Sequence, residues 1–299
     1  MIVDALIERI KEYKNPTVAG LDTSFEYLPE EMKRGVQDFK GVADAVLCFN
    51  KEIVDKICDI VPCVKVQIAY YEMYGWQGVK ALYDTIAYAK EKGLFVITDG
   101  KRNDIGTTME AYAAAHIGKT EAFGKTFESF SADALTVNGY LGSDGINPLL
   151  NICKEEDKGI FVLVKTSNPS SGELQDRLLG DKTVYETMGE MCENWGKDSI
   201  TDYGYSCVGA VVGATYPKQL SSLRKEMPHT FFLVPGYGAQ GGAAKDIAGA
   251  FDENGRGAVI NSSRGIMCAY KKGGFDEKDY AVAARKEAIR MRDEINSVL

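Results

Sequence analysis

The chain alternates short apolar runs with longer amphipathic segments along almost its whole length. Short apolar runs bounded by turn residues are typical of buried strands. The strands predicted in this way cover residues 17–21, 63–68, 94–98, 134–137, 160–164, 207–212, 231–234 and 258–260. Eight strand-then-helix units predict a (β/α)8 TIM barrel of the α/β class, in a single domain covering residues 1–299. A doubly wound open sheet is the alternative, because strand counts from one sequence are error-prone.

Helical periodicity is clearest in residues 78–92, 107–116 and 280–298. Residues 1–15 also predict an amphipathic helix, with acidic residues and without the apolar core of a signal peptide. The longest predicted loop covers residues 166–182, and we consider it a candidate lid over an active site.

Composition and charge narrow the possible classes of protein. The chain has 299 residues, of which 45% are hydrophobic and 26% are charged, as is ordinary for a globular enzyme. A net charge of −8 argues against a broad nucleic-acid surface but leaves room for a small anionic substrate. No apolar run approaches the roughly 18 residues of a membrane span. Seven cysteines without a C-x-x-C pair indicate free thiols in a reducing compartment, so we expect a cytoplasmic protein.

The first candidate for chemistry is the charged segment 99–106, which follows an apolar run at 94–97. It places Asp99, Lys101 and Asp104 where a strand ends, which is where barrel enzymes build their sites. Side chains of a strand alternate between its faces, so Asp99 and Lys101 are expected to point the same way. A fixed ammonium there could stabilise a carbanion and then protonate it. The alternative is a solvated strand end with a surface ion pair.

Two further segments predict a phosphate site. The glycine-rich stretch at 235–242 follows the seventh predicted strand, and its backbone amides could approach an anion closely. Arg264 follows the eighth predicted strand and could bind phosphate oxygens with its guanidinium. Barrel enzymes often bind phosphate with these two loops. A plain glycine-rich turn is the alternative for the first segment.

Other polar residues are harder to place from sequence alone. Asp22 ends the first predicted strand, and Lys65 lies inside the second, where a lysine is costly unless it is paired. We therefore expect a buried Lys65 facing the barrel mouth; the alternative is a different register that puts Lys65 outside. Ser167 follows the fifth strand, in a segment that offers hydroxyl and amide donors or forms a simple turn. The chain has only two histidines, and His116 is expected on a helix face rather than in catalysis, while Tyr70 and its aromatic neighbours are expected to pack.

Together these segments resemble the orotidine 5′-phosphate decarboxylase family, and most closely its longer bacterial subgroup. The matching strings occur in the family's order. They are GLD at 20–22, VKVQIAYYE at 64–72, TDGKRNDIGTT at 98–108, LTVNGYLGSD at 135–144, VKTSNPSS at 164–171, PGYGAQGG at 235–242 and NSSRGI at 261–266. The departures are Gly100, Asn103 and Val66, where the family pattern has alanine, glycine and proline, and none alters a charged position.

The resemblance implies decarboxylation of orotidine 5′-monophosphate to UMP and CO2 in de novo pyrimidine biosynthesis, without a metal or other cofactor. It implies that Lys65, Asp99, Lys101 and Asp104 form an alternating charge network in which Lys101 protonates C6 of the pyrimidine. It also implies a homodimer with shared active sites, in which Asp104 completes the site of the neighbouring subunit.

The resemblance further assigns substrate contacts. Asp22 and Lys65 would contact the ribose hydroxyls, and Ile105 and Thr108 would line the region shared between subunits. Ser167 and Gln240 would hold the pyrimidine and the phosphate end. The remaining implied phosphate ligands are the backbone amides of Gly241 and Gly242 and the side chain of Arg264.

Two alternatives remain open. A related phosphate-binding barrel, such as 3-keto-L-gulonate 6-phosphate decarboxylase or hexulose-phosphate synthase, shares the Asp-x-Lys-x-x-Asp pattern but uses a metal to stabilise an enediolate. The other alternative is a catalytically silent barrel that only binds a phosphorylated metabolite.

Overall fold

Eight parallel strands close into a barrel, as the alternating pattern predicts. The computed structural model describes residues 2–238 and 243–299. The barrel strands are β1 Thr17–Gly20, β2 Cys63–Gln67, β3 Phe95–Arg102, β4 Ala134–Val137, β5 Gly159–Lys165, β6 Val208–Val212, β7 Phe232–Val234 and β8 Ala258–Ser262. Each strand pairs with the next along the chain, and β8 closes the barrel against β1, with Thr17 opposite Ile260. The open-sheet alternative is therefore wrong.

Apart from the first, which precedes β1, the longer helices follow strands and cover the outside of the barrel. They are α1 Ile2–Tyr13, α2 Phe39–Ile57, α3 Gly75–Glu91, α4 Gly106–His116, α5 Ser143–Glu155, α6 Val184–Gly196, α7 Pro217–Glu226 and α8 Tyr280–Asn296. Shorter helices are Glu30–Lys33, Ala69–Glu72, Ala244–Ile247 and Arg264–Met267. Local capping fixes some starts: the Asp38 carboxylate accepts from the Gly41 amide at 2.8 Å where α2 begins. In the part of the chain that is described, no helix has both the length and the apolar character that crossing a membrane requires.

Helix α1 closes the N-terminal end of the barrel. Its buried face, formed by Val3, Leu6 and Ile7, packs with interior side chains of the strands such as Phe95 and Phe161. Because this end is filled by apolar packing, the C-terminal end is left as the mouth at which polar groups can meet a ligand. The predicted amphipathic helix of the N-terminal segment is therefore present, and its apolar face covers this end of the barrel.

Two small antiparallel hairpins were not apparent from the hydrophobic pattern. One joins Thr120–Ala122 to Lys125–Phe127 between α4 and β4, and the other joins Leu178–Leu179 to Lys182–Thr183. The second lies at the end of the predicted loop 166–182, which also contains the short 3-10 helix Pro169–Glu173. The candidate lid is therefore a structured segment rather than an irregular loop.

Candidate active site at the barrel mouth

A bulge near the end of β3 places the charged segment at the mouth. Opposite Thr136 of β4, strand β3 contains Asp99, Gly100 and Lys101, and the pairing is regular only on either side. Lys101 takes up the extra length with a φ of +48°, a left-handed conformation that is costly for a residue with a side chain. Bulges of this kind change the direction of side chains beside active sites. Asp99 and Lys101 do lie together, but the bulge brings them there, and the simple alternation expected of a regular strand was the wrong reason.

Lys65 lies inside the barrel, between two carboxylates. Its side chain is 5% exposed, and its Nζ lies 2.9 Å from both Asp22 Oδ1 and Asp99 Oδ2. Burial alone would lower the pKa of Lys65, but the two carboxylates outweigh burial and raise this pKa above its ordinary value. The alternative register, with Lys65 outside the barrel, is wrong.

Asp99 joins the two lysines. Its Oδ1 lies 2.6 Å from Lys101 Nζ and accepts a hydrogen bond from Thr136 Oγ1 at 2.8 Å, while its Oδ2 faces Lys65. Burial would raise the pKa of Asp99, but the two ammonium groups prevail and hold this pKa well below its ordinary value. The Lys65–Asp99–Lys101 array is therefore a set of alternating charges at neutral pH. Lys101 is the member open to solvent, with a side chain that is 45% exposed.

Two adjoining cavities meet at this array. The first, of about 370 Å³, extends to the loops after β7 and β8, where Tyr237, Ser263 and Arg264 line it. The second, of about 420 Å³, extends to the segment after β5. Lys65, Asp99, Pro235 and Asn261 line both cavities. The mouth is thus one cleft with the charge array at its centre.

Arg264 is the cation at the outer end of the first cavity. It opens the short helix Arg264–Met267 directly after β8, and its side chain is exposed. Within residues 2–238 and 243–299, the guanidinium has no hydrogen-bond or ion-pair partner, so it is available to an anion. Gln240, Gly241 and Gly242, predicted to act beside it, lie outside the described residues.

The second cavity has polar walls and an apolar floor. Beside the charge array, Thr166, Ser167, Asn168 and Gln175 add polar groups to its lining, and Leu163, Val211 and Leu233 provide apolar surface. Ser167 is thus brought into the cleft as expected. Gly213 makes this possible, because a Cβ there would lie 2.8 Å from Ser167 Cβ.

Asp104 is not brought to the array within this chain. Its Oδ1 accepts from the backbone amide of Ile105 at 2.8 Å, and it forms no ion pair among the described residues. Ile105 is 51% exposed and Thr108 is exposed as well. These three residues lie around the start of α4 and line neither cavity of the cleft.

Sequence reasoning missed several residues of the cleft. Thr136 supports Asp99, Gln175 and Tyr70 line the walls, and Asn261 lines both cavities. The Asn261 side chain is buried, and its Oδ1 has no hydrogen-bond partner in the described part of the chain. Tyr70 was expected only to pack. Asn261 is the first residue of the polar segment 261–266 that follows the last predicted strand, whereas Thr136 and Gln175 carried no such signal. No three His, Cys, Asp or Glu side chains converge as a metal site among the described residues.

A closed parallel barrel with buried alternating charges at its C-terminal mouth defines a barrel enzyme that acts on a polar small molecule. Over residues 39–273 the chain matches the family described as "Orotidine 5′-phosphate decarboxylase / HUMPS family". The chain belongs to this family and is a decarboxylase of the carboxy-lyase class.

Full-length relatives agree with this assignment. An orotidine 5′-phosphate decarboxylase of Rhodopirellula baltica is 46% identical over 285 residues, covering 93% of each chain. One from Clostridium perfringens is 44% identical over 302 residues, covering 100% of this chain and 99% of the relative. The solved structure of Leishmania donovani OMP decarboxylase has a TM-score of 0.75 at 29% identity, covering 99% of this chain and 98% of that one.

Proposed function

We propose that this protein converts orotidine 5′-monophosphate to UMP and CO2, the closing reaction of de novo pyrimidine synthesis, without a metal or organic cofactor. The observation that carries the proposal is the Lys65–Asp99–Lys101 array at the junction of two cavities. Full-length relatives at 46% and 44% identity that bear the name orotidine 5′-phosphate decarboxylase support the choice of substrate.

The two cavities suit the two ends of this substrate. The phosphate would lie at the outer end of the first cavity, against Arg264 and the loop after β7, and the ribose hydroxyls would face Asp22 and Lys65. The pyrimidine would occupy the second cavity, whose apolar floor suits a flat ring and whose wall includes the Ser167 hydroxyl. Binding energy from the remote phosphate is then available to organise the reacting end.

The charges at the junction suggest the chemical step. The C6 carboxylate of the substrate would lie beside Asp99, which stays ionised because its pKa is held low. The bond between C6 and the carboxylate breaks, CO2 leaves, and the electron pair remains on C6. The Lys101 ammonium stabilises this developing charge through preorganised electrostatics and then donates a proton to C6, giving UMP. Closure of the segment 166–182 would exclude water from the cleft.

We further propose a homodimer in which Asp104 contributes to the partner's site. The strands β2, β3 and β4 are neighbours in the barrel, and the segments that follow them, including the start of α3, expose large apolar side chains: Trp76 is 73% exposed, Ile105 51% and Tyr140 74%. Covering such side chains favours association. Asp104 lies beside this surface and is without an ionic partner in the described part of its own chain.

Residues 1–299 are proposed to form one barrel domain, because the closed strand order runs from β1 near one end of the chain to β8 near the other. The free cysteines fit a cytoplasmic, reducing location.

A metal-dependent reaction of a related phosphate-binding barrel is the competing function. Here the acidic groups of the array already face lysines, since Asp22 and Asp99 both pair with Lys65. The test is to treat the purified protein with EDTA and to follow the fall in absorbance as orotidine 5′-monophosphate is consumed. The proposal predicts full turnover after chelation. Turnover that is lost with EDTA and restored by a divalent cation would support the competing function instead.

A further inference from the structure

Lys165 is a buried cation that the proposed chemistry does not use. It is the last residue of β5, it is 0% exposed, and it lines neither cavity of the cleft. Its Nζ lies 2.6 Å from Asp176 Oδ1 and donates to Ser171 Oγ at 3.3 Å. Burial of a lysine is costly unless it is paired, so this position requires the contacts that the following segment supplies.

Aromatic groups enclose the same ammonium. It lies 4.4 Å from the ring centroid of Tyr216 and 5.4 Å from that of Tyr185, distances at which a cation is attracted to a ring face. The Tyr216 hydroxyl also accepts from Ser171 Oγ at 3.2 Å and donates to the Asn168 backbone carbonyl at 3.4 Å. The cation therefore lies at the centre of contacts that hold the segment after β5 onto the barrel.

Lys165 and Asp176 lie immediately before and after the segment that forms the polar wall of the second cavity. Thr166, Ser167 and Gln175 all lie between them in sequence and all line that cavity. Within residues 166–175, Gln175 Oε1 accepts a hydrogen bond from the Thr166 amide at 3.0 Å, and Gln175 Nε2 donates one to Thr166 Oγ1 at 2.7 Å. Fixing the two ends of this segment fixes the wall between them.

We propose that Lys165 is a positioning residue. Through Asp176 and Ser171 it holds residues 166–175 in the conformation that presents Ser167 and Gln175 to the pyrimidine side of the substrate. This role rests on the proposed function for the identity of the ligand, but the anchoring itself does not depend on it.

The test compares Lys165→Met, Asp176→Asn and the double variant with wild type. Lys158→Met is the matched control, because Lys158 immediately precedes the other end of β5, is also partly buried, and has its Nζ 3.6 Å from Asp133 Oδ1, away from the cleft. Hydrogen–deuterium exchange of residues 166–175 measures the anchor in each full-length variant. Titration with UMP, and kcat and KM for orotidine 5′-monophosphate, measure its consequence. Asp176 is half-exposed, so Asp176→Asn keeps the test available if Lys165→Met fails to fold.

We expect Lys165→Met to keep a melting temperature close to that of wild type, because Asp176, the partner left without its ammonium, has a side chain that is 47% exposed and can be hydrated. We expect faster exchange in residues 166–175 and an increase of about tenfold in KM and in the UMP dissociation constant, with a smaller change in kcat. Asp176→Asn should act in the same direction, and the double variant should be no worse than Lys165→Met, because coupled residues are not additive. Lys158→Met should leave the exchange of residues 166–175, the affinity for UMP and the kinetic constants unchanged.

Unchanged exchange and unchanged UMP affinity in Lys165→Met would overturn the positioning role, as would effects that multiply in the double variant. If wild type does not consume orotidine 5′-monophosphate, the proposed function fails. The exchange measurement then still decides whether Lys165 anchors the segment.

Discussion

Replacing Lys65 with methionine removes the ammonium that Asp22 and Asp99 share. The lysine side chain is 5% exposed, against 20% for Asp22 and 9% for Asp99. Methionine has a similar volume and packs well in irregular spaces, so the substitution acts mainly on charge. Asp22 loses its ion-pair partner, whereas Asp99 keeps Lys101 at 2.6 Å.

The size of the effect follows from this arrangement. Removing one partner of a buried ion pair costs about 3–5 kcal/mol, because the other charge is left uncompensated. Asp22 reaches the cleft and can be hydrated, and Asp99 retains one ammonium, so the lower end of that range applies. We expect the free energy of unfolding of Lys65→Met at pH 7 to fall by about 3 kcal/mol. Lys65→Met combined with Asp22→Asn should recover part of this loss, since the second change removes the carboxylate left without a partner and contacting residues couple.

The pKa shifts of Asp99 and Lys65 determine how the stability deficit of Lys65→Met changes with pH. The pKa of Asp99 is below its ordinary value of 3.8, so its contribution is present above that value and is lost as the pH falls through the lower folded pKa. The pKa of Lys65 is above its ordinary value of 10.5, so its contribution is present below that value and is lost as the pH rises through the higher folded pKa. The deficit of Lys65→Met should therefore be full between about pH 5 and pH 10 and should shrink outside that window.

Urea denaturation of both proteins across this pH range is the assay. Lys80→Met is the control, because Lys80 pairs with Asp84 on the surface of α3 with a side chain that is 65% exposed. Its loss should cost no more than about 0.5 kcal/mol. A Lys65→Met protein as stable as wild type at pH 7, or a deficit that does not change at the extremes of pH, would refute the reasoning.

Three further predictions address the remaining groups. Lys101→Ala should reduce kcat by about 10⁴-fold or more, because it removes both a proton donor and a charge at the reacting carbon. Its affinity for UMP should stay close to that of wild type. Near-normal turnover would exclude Lys101 as the donor. Arg264→Ala should raise KM for orotidine 5′-monophosphate by about 10- to 150-fold, because it removes a charge-assisted hydrogen bond to the phosphate. Turnover of orotidine, which lacks the phosphate, should be unchanged. Equal losses for both substrates would contradict the phosphate role. Burial, with Arg102 nearby, lowers the pKa of His116 from 6.5 to about 4. As the pH falls from 6.5 to 4, the free energy of unfolding of wild type should therefore drop by about 3 kcal/mol relative to that of His116→Phe. Urea-stability curves that stay parallel for the two proteins would show that the imidazole is not held neutral.

The fold followed from the sequence because barrel strands are buried on both faces and appear as continuous apolar runs. The run that became β4 has the predicted bounds, residues 134–137. Strand β3 extends to Arg102, beyond the predicted end at residue 98, because Asp99 pairs with Gln67 of β2 and Arg102 pairs with Val137 of β4, although both residues are charged. Pairing of this kind is not visible in local composition.

The site followed from the sequence only where a residue conflicted with its surroundings. Lys65 was detected because a lysine in an apolar run requires a partner, and the structure supplies two carboxylates. Thr136 was missed because a threonine in a strand is ordinary, and its bond to Asp99 depends on the bulge that sets β4 against β3. The proposed role of Asp104 in a partner's site likewise depends on contacts that a single chain does not contain.

We propose that this cleft decarboxylates orotidine 5′-monophosphate with Lys101 as the proton donor. The most direct measurement quantifies CO2 and UMP formed per mole of substrate by wild type and by Lys101→Ala, with the active sites of both proteins counted by UMP titration. We expect one CO2 and one UMP per substrate consumed by wild type, and essentially no turnover by a Lys101→Ala protein that still binds UMP. Wild type that binds UMP but forms no CO2, or a Lys101→Ala protein that turns over at the wild-type rate, would contradict this proposal.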